Sequence, residues 1–201
     1  MRKSIIKRKT NEVDINGEFV IDGKGVSSIK TPFEPLNHIL TLFAFHGFFD
    51  LTIDAKGDLA HHIIEDLGIA CGKAFKAALG EKEGITRYGS FSLAMDKTLV
   101  EVSVDISGRP SVHGVNLDKS ERNLDAETFD NNNFKFEHAR EFLESFSQHA
   151  GLSIVYVIKS AEGDLHHILE ALFKALGKAL DQATMIDSRR VGVPSTKGVI
   201  D

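Results

Sequence analysis

The stretch His61–Phe75, HHIIEDLGIACGKAF, returns 105 positions later as His166–Leu180, HHILEALFKALGKAL, and the two copies are identical at nine of fifteen positions. Each copy is preceded by Gly-Asp-Leu, at 57–59 and 163–165. A repeat at a fixed offset indicates that one structural unit has been duplicated within the chain. We therefore expect two similar halves that share one core.

Each copy opens with His-His-x-x-Glu. On a helix, His61 and Glu65 are four residues apart and His62 and Glu65 three, so an imidazole and a carboxylate share one face and can bind one cation. The adjacent histidine points about 100° away around the helix. Imidazole with carboxylate suits Mn, Fe, Co, Ni or Zn, and the lack of thiolate argues against a structural zinc site. A solvated or capping His-His pair explains one copy, whereas two copies predict a catalytic or substrate-holding metal site.

The composition is that of an ordinary globular protein: 201 residues, 42% hydrophobic and 26% charged. The formal net charge of -5 argues against general nucleic-acid binding. No apolar run approaches the roughly 20 residues of a membrane helix, and the start MRKSIIKRKTNE lacks a secretory apolar segment. We expect a cytoplasmic protein without a membrane partner. Cys71 is the single cysteine, so an intramolecular disulfide is impossible, and its place on the repeated helix predicts core packing.

Short β-type runs alternate with turn signals through residues 8–31: RKTNEVDI, GEFVIDGKG and VSSIKT, with Asn16-Gly17 and residues 23–25 between them. This pattern predicts a small antiparallel sheet. Apolar residues at 36, 39, 40 and 43 then fall on one helical face, which ends at Gly47. A strand at 49–53 leads into the first HHxxE helix, which runs to about Gly80. The first half is therefore predicted as βββαβα.

The second half repeats this order, with strands at 89–94 and 99–106, a polar loop at 118–133, a helix at 136–149, a strand at 152–159 and the second HHxxE helix. The predicted fold class is α/β, more narrowly an α+β sandwich of duplicated βββαβα halves with a sheet on one side and helices on the other. We place the halves at 1–86 and 87–183 and a tail at 184–201, all in one compact unit.

Several segments together resemble the imidazoleglycerol-phosphate dehydratase family of histidine biosynthesis: GITRYG (84–89), Met95-Asp96, DISGRP (105–110), the two HHxxE helices and PSTKG (194–198). RKTNEVDI likewise resembles the opening strand of that family, with Glu12 at the place of its acidic residue. The resemblance implies a fold of the ribosomal protein S5 domain 2 type and trimers that assemble into a 24-subunit shell. It also implies two Mn²⁺ ions per active site between subunits, and dehydration of imidazole glycerol phosphate to imidazole acetol phosphate.

The resemblance also implies roles for individual residues. The metal ligands would be His38, His61, His62, Glu65, His166, His167 and Glu170. The phosphate clamp would be Arg87, Arg109, Ser195 and Lys197. The catalytic carboxylates would be Glu12, Glu65 and Glu170. The residue types suit these roles, because arginines offer bidentate contacts to phosphate and Ser-Thr-Lys-Gly supplies a hydroxyl, an ammonium and closely approaching backbone groups.

The chain departs from the family pattern in three places. Gly-Asp-Leu-Ala leads straight into His61, about three residues short, and Lys97 stands where the family has an acid. The strand at 152–159 lacks the histidine that normally completes one metal site. His138 is the candidate substitute, because Glu137-His138 occupies the place in its helix that Asn37-His38 occupies in the first half; His113 and His149 are weaker candidates. Two other functions stay open: a non-catalytic, metal-binding oligomeric paralogue, and a metal hydrolase acting on a phosphorylated substrate.

Overall fold

Two halves with the same order of elements make up the structure, a computed structural model that describes residues 1–118, 123–129 and 133–200. The first half contains β1 Lys3–Lys9, β2 Val13–Val20, β3 Ser27–Lys30, α1 Glu34–Gly47, β4 Asp50–Gly57 and α2 Ala60–Leu79. The second half contains β5 Tyr88–Met95, β6 Thr98–Asp105, β7 Ser111–Asn116, α3 Phe136–Ala150, β8 Ser153–Ala161 and α4 Leu165–Thr184. The predicted duplication of a βββαβα unit is confirmed.

The polar loop predicted at 118–133 falls partly outside the described residues, at 119–122 and 130–132. Its described part contains a short 3-10 helix, Leu124–Ala126, and an isolated bridge between Thr128 and Lys135. None of the helices in the described parts of the chain combines the length and the apolar character needed to cross a bilayer.

Each half forms a four-stranded sheet, in the order β1-β2-β4-β3 in the first and β5-β6-β8-β7 in the second. Neighbouring strands are antiparallel except for β3 with β4 and β7 with β8, which are parallel. The small antiparallel sheet predicted for residues 8–31 is therefore correct for β1 and β2 and wrong for β3. The reason is the connection: α1 carries the chain from β3 to β4, and a helical crossover joins parallel strands.

The dipeptide Asn16-Gly17 does not form the predicted turn, because it lies inside β2. A Cβ atom at Gly17 would stand 1.9 Å from the carbonyl oxygen of Thr52 on β4, so glycine is required there for the two backbones to approach. The chain turns instead between β1 and β2, where the hydroxyl of Thr10 accepts the N–H of Glu12 at 3.1 Å. The run RKTNEVDI is consequently a hairpin that places Glu12 at its tip.

The four α-helices lie between the two sheets. In the first half α2 packs on β1 and β2 and crosses α3, while in the second α4 packs on β5 and β6 and crosses α1. The repeated glycine of the duplicated stretch marks both crossings: a Cβ atom at Gly72 would lie 2.6 Å from the carbonyl oxygen of Phe146, and one at Gly177 would lie 2.5 Å from that of Phe43. The sequence repeat therefore serves helix packing between the halves as well as chemistry.

One hydrophobic core runs through both halves. The ring of Phe146 on α3 lies 5.6 Å from that of Phe75 on α2 and 6.2 Å from that of Phe43 on α1. Cys71 is buried in this core, as the sequence predicts, and burial raises the pKa of its thiol to about 12. The thiol therefore stays protonated and acts as a packing group.

Candidate functional site

Three predicted ligands meet where the beginning of α4 faces α1. Nε2 of His38 lies 2.6 Å from Oε1 of Glu170, and Nε2 of His166 lies 2.5 Å from the same oxygen. One ligand atom from each residue falls within 4.8 Å of the other two, and within the described residues this is the group that could hold a metal ion. Two imidazoles and one carboxylate form a donor set that fits a borderline divalent cation.

The carboxylate at the centre of this group is buried. Glu170 is 6% exposed, and its second oxygen accepts a hydrogen bond from Nζ of Lys174 at 2.6 Å. Burial opposes ionisation, but the hydrogen bonds from Lys174, His38 and His166 outweigh it and lower the pKa of Glu170 to about 2. Glu170 is thus an anion at neutral pH, as a metal ligand must be.

An aromatic side chain covers the group. The ring of Phe129 stacks on the imidazole of His166 with 4.5 Å between centroids, and Phe134 follows at 6.2 Å from Phe129. The contact limits rotation of the His166 ring and keeps one of its faces from water. No motif in the sequence indicates this role, because both phenylalanines belong to the polar segment that precedes α3.

The first HHxxE motif forms a looser arrangement at the beginning of α2. Nε2 of His61 lies 3.6 Å from Oε2 of Glu65, while its Nδ1 contacts the carboxylate of Glu141 on α3. Burial raises the pKa of Glu141 although His61 opposes this. His61 and Glu141 line a cavity of about 400 Å³ between α2 and α3. His61 and Glu65 therefore share a face, as predicted, without a third ligand converging on them among the described residues.

The second histidine of each pair turns toward an aspartate instead. Nδ1 of His62 lies 2.8 Å from Oδ1 of Asp58, and this hydrogen bond raises the pKa of His62 and lowers that of Asp58. Nδ1 of His167 lies 2.6 Å from Oδ1 of Asp164, and its Nε2 lies 3.2 Å from Asp96. Asp58 and Asp164 both belong to the repeated Gly-Asp-Leu.

The remaining predicted carboxylate, Glu12, stands near the first motif. Its Oε2 lies 3.9 Å from Nδ1 of His62, beyond hydrogen-bond distance, and its side chain is exposed at the tip of the β1–β2 hairpin. This position leaves the carboxylate of Glu12 exposed beside the beginning of α2.

The candidate substitute His138 caps its own helix. Its Nδ1 accepts the N–H of Lys135 at 3.0 Å, at the beginning of α3, and burial lowers the pKa of its imidazole. His138 lines the same cavity as His61, with Nδ1 already engaged. His149 uses its Nδ1 on the carbonyl oxygen of Ser145 at 2.9 Å. Neither histidine belongs to the His38, His166 and Glu170 group.

The four predicted phosphate-binding residues line one cavity of about 220 Å³. They come from three segments: Arg87 before β5, Arg109 after β6, and Ser195 with Lys197 in the tail. Arg87 is also held by the structure, because its Nε and Nη2 donate to the two oxygens of Asp105 at 2.7 and 3.2 Å. The cavity therefore presents cationic and hydroxyl groups to an anion, with one arginine already oriented by a carboxylate.

A comparison with known protein families identifies the family of this chain. The family profile of imidazoleglycerol-phosphate dehydratase matches residues 31–180. The chain belongs to the imidazoleglycerol-phosphate dehydratase family. It is 47% identical over 203 aligned positions to the imidazoleglycerol-phosphate dehydratases of Thermoanaerobacter sp. (strain X514) and Caldanaerobacter subterraneus subsp. tengcongensis, with each chain covered completely.

Solved imidazoleglycerol-phosphate dehydratase structures share the fold. The structure from Staphylococcus aureus subsp. aureus N315 superposes with a TM-score of 0.78 at 33% identity, over 92% of this chain and 99% of that one. The structure from Pyrococcus furiosus gives 0.77 at 38% identity, over 96% and 99%. The family and the duplicated α+β architecture inferred from the sequence are both confirmed.

Proposed function

We propose that the chain is a manganese-dependent hydro-lyase that converts imidazole glycerol phosphate to imidazole acetol phosphate in cytoplasmic histidine biosynthesis. The observation that carries the proposal is the meeting of His38, His166 and Glu170 around one point. Family membership supplies the reaction, and the cavity beside Arg109 and Lys197 supplies a place for the phosphate.

The metal-holding part of the proposal rests on donor chemistry. His38, His166 and Glu170 would hold one Mn²⁺, and His61, His62, Glu65 and His167 would contribute the remaining ligands of two ions per active site. When bound, the cation supplies Lewis acidity that makes the ring proton of an imidazole substrate easier to lose. Lys174 keeps Glu170 ionised and oriented for that purpose.

Carboxylates of the chain would move the protons of the dehydration. The reaction breaks one C–H bond and one C–OH bond of the substrate chain, and the carbon proton leaves with the hydroxide as water. We assign the proton transfer to Glu12, which is exposed within 3.9 Å of His62. Glu65 and Glu170 would act beside it as the carboxylates that border the reacting imidazole.

The clamp residues would hold the phosphate of the substrate. Arg109 and Lys197 supply cationic donors and Ser195 a hydroxyl, while Asp105 keeps the guanidinium of Arg87 in place at the edge of the cavity. Such a clamp fixes the substrate so that the imidazole is the end that reaches the metal.

The metal group and the phosphate cavity of a single chain are too far apart to serve one substrate. The N–H of Arg87 donates to the carbonyl oxygen of Ala183 at the end of α4, whereas His166 stands at its beginning. The 17 residue steps between them span about 25 Å. A three-carbon phosphate cannot bridge that distance, so the site would be completed by a second copy of the chain. This supports a homo-oligomer, with trimers and a 24-subunit shell as the assembly that the resemblance implies.

A single core cluster that includes residues of both halves supports the proposed organisation of the chain. Residues 1–86 and 87–183 would form one rigid unit that offers a metal group at one end. The tail, residues 184–201, would complete the phosphate cavity at the other end.

A non-catalytic paralogue is the second candidate, favoured by two observations. β8 contains no histidine, and Nδ1 of the substitute His138 is engaged at the beginning of α3. A scaffold of this kind would still bind metal and assemble, but it would not turn over substrate.

Turnover of imidazole glycerol phosphate separates these functions. Purified protein stripped with chelator should be inactive and should regain activity with Mn²⁺, whereas a Glu170→Gln variant should stay inactive. A metal-loaded assembly without turnover would favour the scaffold, and activity that survives chelation would overturn the metal dependence.

A further inference from the structure

The repeated Gly-Asp-Leu places an aspartate just before the HHxxE helix in both halves, three residues before His61 and two residues before His166. In the first half, Oδ1 of Asp58 accepts the N–H of Leu59 at 2.7 Å and lies 2.8 Å from Nδ1 of His62. Among the described residues, the structure records no hydrogen bond or ion pair at Nε2 of His62. The imidazole is therefore held by one nitrogen and presents the other.

In the second half, Oδ1 of Asp164 accepts the N–H of His167 at 2.9 Å and lies 2.6 Å from Nδ1 of the same residue. Nδ1 of His167 is buried and makes no well-directed hydrogen bond, so the carboxylate acts on it through proximity and charge. Nε2 lies 3.2 Å from Asp96 on the opposite side of the ring. Asp164 thus serves both as the N-cap of α4 and as a neighbour of the imidazole.

Neutral imidazole carries its proton on one nitrogen and its lone pair on the other. A carboxylate beside Nδ1 keeps the proton there, which leaves the lone pair on Nε2 for a cation and fixes the plane of the ring. We propose that Asp58 is a positioning residue that holds His62 in this tautomer and orientation, and that Asp164, the nearer of the two carboxylates beside His167, positions that imidazole in the same way. This inference rests on the proposed metal dependence and deepens it.

The two histidines of each pair would then have separate supports. The first, His61 or His166, faces the glutamate one turn along its own helix. The second faces the aspartate that precedes the helix. The sequence repeat carries both contacts, since the Gly-Asp-Leu recurs along with the HHxxE.

Helix capping does not account for Asp58. The N-cap residue of α2 is Leu59, and its side chain makes no capping hydrogen bond to the helix. The carboxylate of Asp58 contacts the imidazole of His62 and accepts the N–H of Leu59. Its loss should therefore disturb His62 more than the helix.

The test is a titration of the full-length, metal-stripped protein with Mn²⁺, in which free Mn²⁺ is measured by electron paramagnetic resonance. Asp58→Ala should raise the dissociation constant of the ions that His62 binds by about 10- to 100-fold. Asp58→Asn keeps an oxygen acceptor for the N–H of His62 and should show a smaller loss. Asp54→Asn, an exposed aspartate on β4, is the matched control and should bind as the wild type does.

Thermal unfolding of the metal-free variants separates positioning from folding, because a positioning role predicts that the metal-free unfolding temperature of Asp58→Asn stays close to that of the wild type. Asp164→Asn is the second variant, since asparagine preserves the N-cap of α4. Wild-type Mn²⁺ affinity in both Asp58→Ala and Asp164→Asn would overturn the inference and leave the proposed function standing. A wild-type protein that binds no Mn²⁺ would overturn both.

Discussion

Replacement of Glu170 by glutamine should destabilise the metal-free protein at neutral pH. The side chain keeps its size and loses the charge that His38, His166 and Lys174 all contact. In the native protein the pKa of Glu170 falls from 4.5 to about 2. At about 1.4 kcal/mol for each unit of pKa, this lowering corresponds to about 3 kcal/mol of folding free energy.

The pH dependence of this stabilisation has a definite sign. Because the native pKa of Glu170 is lowered, its contribution is fully present above the unfolded value near 4.5 and is lost as the pH falls through about 2. The wild type and Glu170→Gln should therefore differ by about 3 kcal/mol at pH 7 and converge in acid.

Urea unfolding of metal-free protein at fixed protein concentration measures the difference. Glu137→Gln on α3 is the matched control, because Glu137 is exposed and its ion pair with Lys135 is 3.6 Å long. This control should unfold within about 0.5 kcal/mol of the wild type. Unfolding of Glu170→Gln at the same urea concentration as the wild type at pH 7 would show that the buried carboxylate does not stabilise the metal-free protein.

Three further predictions concern other parts of the molecule. Arg109→Ala or Lys197→Ala should weaken substrate binding by about 2 to 5 kcal/mol, seen as a raised KM, and an unchanged KM would remove that residue from the clamp. Gly72→Ala and Gly177→Ala should each cost about 1 to 3 kcal/mol in urea unfolding, because the new methyl group meets the backbone of the crossing helix; wild-type stability would contradict the packing described. Titration with Mn²⁺ should resolve two classes of site that differ in affinity, and His138→Ala should lower the affinity of the weaker class only. Two classes of equal affinity, both unchanged in His138→Ala, would show that His138 is not the substitute ligand.

Much of the fold follows from the sequence because the duplication is visible in it. The HHxxE helices carry a helical apolar period, and their fixed offset predicts equal halves before any strand is assigned. The strands of residues 8–31 were harder to delimit, since Asn16-Gly17 is a turn signal by composition. A long-range contact decides the matter there: Gly17 lies against Thr52, and no local pattern reveals that approach.

The candidate site likewise contains residues that can be predicted from the sequence and residues that cannot. Ligands on one helix can be found from their spacing. Lys174 could also have been found, because it stands four residues after Glu170 on the same helical face and is specific to the second copy, where the first copy has Ile69. Glu141 and Phe129 could not, because each reaches its histidine from another segment of the chain. Their roles depend on how α3 and the segment before it pack.

In the proposed assembly, one chain supplies the metal group and another chain supplies the phosphate cavity of each active site. Co-expression of His166→Ala with Lys197→Ala, each under its own affinity tag, tests it directly. At a substrate concentration near the wild-type KM, His166→Ala alone should be inactive because it lacks a metal ligand, and Lys197→Ala alone should show little activity because its KM is raised. In random mixed assemblies, about half of the sites receive an intact metal group from a Lys197→Ala chain, and about half receive an intact phosphate cavity from a His166→Ala chain. About a quarter of the sites therefore receive both, and the assemblies should regain about a quarter of the wild-type activity per site. Mixed assemblies as inactive as the separate variants would contradict this arrangement of the chains.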